Sequence, residues 1–124
     1  MNEIRSDTAY RSSSPLSQAI RHGDTVYVSG QVPKDEHGTL VDGDLGTQTD
    51  QVLDNVEAVL DAAGLTLADV VKATVFLTDL EEFDAFNAAY EQRFPDPKPA
   101  RSAVAVADLA VDADIEIEVI AAAE

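Results

Sequence analysis

The feature that most constrains this chain is a change of hydrophobic period halfway along it. Val52, Leu53, Val56, Val59, Leu60 and Ala63 recur at helical spacing, with Asp50, Asp54, Glu57 and Asp61 on the other side. The spacing predicts a helix over about 47–63, with Gly64 as its C′ stop. Thr66 or Asp69 then turns the chain into Val70–Thr78, a β-branched run that reads as a strand. An amphipathic helix followed so closely by an apolar strand calls for a sheet with helices laid on it.

The flanking segments fit that scheme. Residues 1–13 are polar and read as an irregular arm with room for one short strand. Ser17–Arg21 reads as a strand, Gly23-Asp24 as a turn, and Thr25–Ser29 as its partner, with Val26 and Val28 on one face. Gly30 and Gln31 end that strand, and 33–46 is a loop rich in Asp, Gly and His. Asp79 and Glu82 have capping-box spacing before a second helix. Phe83, Phe86, Tyr90 and Phe94 form its stripe, read as core, and Pro95 ends it. Strands at about 102–107 and 114–120 close the chain. The order β-β-α-β-α-β-β gives an α+β fold in one domain, 1–124, with two helices on one face of a mixed sheet. The other face, left uncovered, is expected to be buried by oligomerisation.

Charge and composition narrow the function. With 24 acidic against 8 basic residues, the net charge is −16. That argues against nucleic acid or anionic membrane as a partner. The acids are dispersed along the chain, which fits a solvated surface suited to high internal salt and points to a halophile. The absence of cysteine removes disulfides, thiolate metal sites and Cys nucleophiles, and His22 and His37 are too few for a histidine-rich metal site. No stretch is apolar enough for a membrane span or signal peptide, so a cytoplasmic protein is expected.

One constellation carries chemistry. Pro97 and Pro99 stiffen the approach to Arg101, one of five arginines, at the mouth of a predicted strand. A guanidinium so presented can meet a carboxylate with two parallel hydrogen bonds. Glu116 and Glu118 share one face of the last strand. Arg101 is therefore expected to grip a small anionic substrate, with Glu116 doing acid/base work beside it. Asn87 edges the second helix, and Gly30 is either a turn glycine or a point of close ligand approach.

Several motifs in order resemble the reactive-intermediate deaminase (Rid, YjgF-like) family. They are Ser14-Pro-Leu-Ser-Gln-Ala19, Val26-Tyr-Val-Ser-Gly-Gln-Val-Pro33, Gln48-Thr-Asp-Gln-Val-Leu-Asp-Asn55, Val70–Asp79, Phe86-Asn-Ala-Ala-Tyr90, Lys98-Pro-Ala-Arg-Ser102 and Ile115–Ala121. The resemblance implies a chorismate-mutase-like fold and a homotrimer with ligand sites in clefts between subunits. It implies hydrolysis of 2-imino acids, derived from 2-aminoacrylate and 2-aminocrotonate, to 2-keto acids and ammonia without cofactor or metal. By matching motifs, Arg101 resembles the carboxylate-binding arginine and Glu116 the water-orienting glutamate. Asn87, Ser29 and Gly30 resemble the pocket wall. Leu16 and Ala103 stand at pocket positions where the family often has Tyr, and Cys or Thr. Those two departures keep open a non-catalytic trimer that binds 2-keto acids. A ribonuclease reading, attached to some relatives, conflicts with the charge.

Overall fold

A computed structural model describes all residues, 1–124. The elements are β1 (Asn2–Ile4), β2 (Ala19–His22), β3 (Thr25–Gln31), α1 (Leu45–Ala62), β4 (Val70–Leu77), α2 (Phe83–Arg93), β5 (Ala100–Ala105) and β6 (Ile115–Ala122). They build one six-stranded sheet in the order β1-β2-β3-β6-β4-β5. Only β4 and β5 run parallel, because α2 crosses over between them; every other pair is antiparallel. The expected α+β architecture, two helices on one face of a mixed sheet, is the one found.

The apolar stripe of α1 explains why the helix lies where it does. Val52, Leu53, Val56, Val59 and Leu60 are fully buried against the sheet. Ile115, Ile117, Val119 and Ala121 of β6 and Ala73, Val75 and Leu77 of β4 meet them from below. Phe86 and Tyr90 of α2 and Phe94, just past its end, complete the core, with adjacent ring centroids 5.5 and 4.5 Å apart. The aromatics are core, as expected.

Local chemistry moved several boundaries. α1 begins two residues earlier than its apolar pattern because Asp44 caps it, accepting the Thr47 N–H at 2.9 Å. That bond holds the Asp44 carboxyl below its ordinary pKa. The capping box expected at Asp79–Glu82 does not form. Asp79 instead accepts the Glu81 N–H at 2.9 Å, a local turn that leaves α2 to start at Phe83 without a side-chain cap. A capping box does form at Thr66 and Asp69, closing a short 3₁₀ turn before β4. Gly64 takes φ 76° after α1, as a helix stop requires. The strand expected at 17–21 is shifted to Ala19–His22, and the strand expected at 102–107 to Ala100–Ala105.

The arm is more ordered than its polar composition suggests. β1 pairs with β2, and Ala9 is buried in the core. Buried Gln18 accepts the Ser6 N–H and donates to the carbonyls of Ser6 and Tyr10 at 3.3 and 3.1 Å. The sheet's second face carries no helix. On it Ile20, Tyr27, Phe76 and Ile120 stand among Lys72, Thr74, Glu116 and Glu118, so apolar and polar side chains are mixed there. No helix is long and apolar enough to cross a membrane.

Candidate functional site

The seven residues singled out from the sequence fall into two groups on opposite faces of the sheet. Arg101 of β5 pairs with Ala73 of β4, whose side chain is buried under the helices. Glu116 of β6 pairs with Phe76, three residues further along β4 and so on the other face. Strand spacing places the two Cα atoms roughly 14 Å apart. Arg101 and Glu116 are therefore not side by side within one chain.

Arg101 is half-buried at the edge strand, and α2 supplies its surroundings. Its guanidinium carbon lies 4.9 Å from the Tyr90 ring centroid, 5.3 Å from Phe86 and 5.8 Å from Phe83. Such stacking uses the faces of the guanidinium and leaves its N–H edge free. One N–H is donated, from Nη1 to the Asn87 side-chain oxygen at 3.0 Å. No carboxylate stands within ion-pair distance of Arg101, whereas Arg93 is ringed by Asp50, Asp54 and Glu57. Arg101 shares this lack of an acid with Arg11 and Arg21, but it alone of the three is laid over aromatic rings. Ala103, two residues on, shares this face and packs on the core rather than on a cavity. Tyr90 is buried with its hydroxyl unpaired, and burial pushes its pKa up, so a neutral phenol underlies the guanidinium.

Glu116 lies on the other face, in a cavity of about 460 Å³ whose walls include Leu16, Ser29, Gly30 and Glu118. That volume is in the range of small-molecule sites. The β3–β6 register shifts between Val28 and Gln31, so Ser29 and Gly30 leave the regular ladder at this cavity. The Ser29 hydroxyl donates to the Ser17 carbonyl at 2.6 Å, which fixes that wall. Gly30 serves neither a left-handed turn nor, within one chain, a ligand contact, but the approach of a side chain. Its φ is not left-handed, but a Cβ there would stand 2.1 Å from Glu116 Oε2 and 2.7 Å from its Cδ. Gly30 is the space that the Glu116 carboxyl occupies. Burial pushes the Glu116 carboxyl above its ordinary pKa, and the nearby Glu118 charge adds to the shift.

The sequence pattern did not point to the arm. Tyr10 and Ser12–Ser14 form one rim of the cavity and Ala110 and Val111 another. Gln18, inside the first quoted motif, was the available signal, because its side chain pins the arm in place. His22 and His37 are exposed, and neither lines the cavity.

Comparison with known proteins bears on the fold and the family. The family model described as endoribonuclease L-PSP matches residues 6–123. A RutC family protein of Pyrococcus horikoshii is 45% identical over 119 residues, spanning 95% of this chain and 94% of the relative. The 2-iminobutanoate/2-iminopropanoate deaminase of Escherichia coli K12 is 42% identical over 121 residues, spanning 95% of this chain and 94% of that enzyme. The crystal structure of the Escherichia coli YjgF gene product superposes with a TM-score of 0.94 at 39% identity, with full coverage of both chains. Fold, motifs and sequence thus agree, and this chain belongs to the endoribonuclease L-PSP family, which includes RutC and RidA proteins.

Proposed function

We propose that the protein is an imine deaminase, hydrolysing 2-imino acids to 2-keto acids and ammonia in sites assembled between copies of the chain in a homotrimer. The observation that carries this reading is Arg101, held on an aromatic floor with most of its N–H groups uncommitted and no acid beside it. A substrate carboxylate is the partner that fits such a fork. Within one chain the cavity that holds Glu116 has two carboxylates and no basic side chain, so it would repel that substrate. Arg101 from a neighbouring copy supplies the missing charge.

An imine carbon is already electrophilic, so the site has to position it and direct a water. With Arg101 fixing the substrate carboxylate, Glu116 as carboxylate takes a proton from water as its oxygen attacks the imine carbon. Starting from the protonated imine, the resulting carbinolamine receives that proton on its amino nitrogen. The emptied Glu116 carboxylate takes the hydroxyl proton as the oxygen lone pair forms the carbonyl. The carbon–nitrogen bond then breaks, ammonia leaves, and the keto acid remains. Glu116's raised pKa suits both halves of this transfer, since a base titrating nearer neutrality returns its proton more readily. The 42% identity to the Escherichia coli deaminase supports the reaction class.

The test is imine loss and keto-acid formation, with the imine generated in situ by an amino-acid oxidase. Acceleration by wild type and none by Arg101→Ala of unchanged fold and size is expected. No acceleration by the assembled wild-type protein, with keto acid nonetheless bound, would overturn the enzyme in favour of a keto-acid-binding trimer.

A further inference from the structure

The arm places Tyr10 in the cavity's rim. Several contacts fix it there. Gln18 takes the Tyr10 carbonyl at 3.1 Å, and Ala9 beside it is buried. The Lys34 ammonium lies 4.9 Å from the Tyr10 ring centroid. Gly38 flanks the same ring, an added Cβ there lying 3.6 Å from its Cε1. A tyrosine whose backbone and ring are both held is pre-organised, so contact with a ligand costs it little conformational entropy.

The cavity lining offers more than one chemistry. Glu116 and Glu118 occupy one part, where the reacting carbon must sit, and the substrate carboxylate is directed to Arg101. Most of the remaining lining is polar, and the apolar surface it offers a substrate side chain is that of Tyr10, Leu16, Val32, Ala110 and Val111. All five are apolar or aromatic, and Tyr10 is the largest. We propose that Tyr10 is a specificity-determining residue that reads the substrate side chain and favours apolar side chains longer than methyl. This rests on the cavity being the substrate site, as proposed above. Each methylene received by such a wall is worth roughly tenfold in discrimination.

The test uses binding, so it does not require turnover. Pyruvate, 2-ketobutyrate and 2-ketoisocaproate would be titrated by calorimetry onto the full chain as wild type, Tyr10→Phe and Tyr10→Ala. Wild type is expected to bind 2-ketoisocaproate at least about tenfold more tightly than pyruvate. Tyr10→Phe should keep that ratio, and Tyr10→Ala should reduce it to near unity while weakening pyruvate far less. A structural role alone would weaken all three alike and leave the ratio standing. An unchanged ratio in Tyr10→Ala, a parallel loss for all three acids, or no binding of any acid by wild type would each overturn the inference. Ordered binding without imine hydrolysis would sink the deaminase and leave this assignment intact.

Discussion

The two faces of the sheet prepare their charged groups by opposite means. On the helix face, Arg101 is surrounded by matter: rings beneath it and an amide beside it. On the open face, Glu116 is placed by an omission, since it fills the volume Gly30 leaves. The guanidinium acts through a rigid planar fork of donors, so the fold needs only to aim it. The carboxyl can lose its charge, and burial with Glu118 nearby makes it hold its proton to higher pH. One half-site is therefore set by orientation and the other by titration. Failures in the two should look different.

The largest effect is expected at Arg101. Arg101→Ala should lower kcat/KM by on the order of 10³, because a charge-assisted clamp loses one member. Arg101→Lys should recover little, since an ammonium offers no planar fork. Steady-state kinetics beside a melting curve would check both, and near-normal kcat/KM in Arg101→Ala would break the comparison. Glu116→Gln should cut kcat by about 10² while leaving keto-acid affinity largely intact, as removal of an acid/base group does. Its stability should move the opposite way. Glu116 titrates higher folded than unfolded, so its charged form weakens the fold above the ordinary glutamate range. Glu116→Gln should thus melt above wild type at pH 7, the difference vanishing as pH falls below that range.

Gly30→Ala should cost roughly tenfold in kcat, because its new Cβ forces the Glu116 side chain aside. Unaltered kinetics there would show that the close approach is idle. The smallest change is at Glu118. Glu118→Gln removes a like charge, so the acid limb of the rate profile should shift to lower pH without loss at the plateau. A limb that stays in place would assign the shift to burial alone.

Much of the fold was legible because two periods are written plainly in the chain. The α1 stripe and the Ile115-Ile117-Val119 alternation each have one burial solution, and both took it. Element ends were less legible where a single side chain decided them. Asp79 had the spacing of a cap yet spent its oxygen on Glu81, a competition that spacing does not encode. In the candidate site, the residue types could be read but not their faces. Arg101 and Glu116 differ in face because β4 lies between their strands and sets both registers, a long-range fact absent from either motif. The arm was illegible for a similar reason. Its order comes from Gln18 and Ala9 docking at a distance, not from any pattern of its own.

The split between faces allows a direct test by mixing two inactive variants. Arg101→Ala and Glu116→Gln chains would be unfolded together, refolded as mixed oligomers, and assayed for imine hydrolysis against each variant refolded alone. If each site draws Arg101 from one copy and Glu116 from another, about a quarter of sites in a random mixture hold both intact groups. Activity should then return to about a quarter of the wild-type value. A mixture as inactive as its parents, with mixed oligomers confirmed by native mass spectrometry, would contradict a site shared between copies.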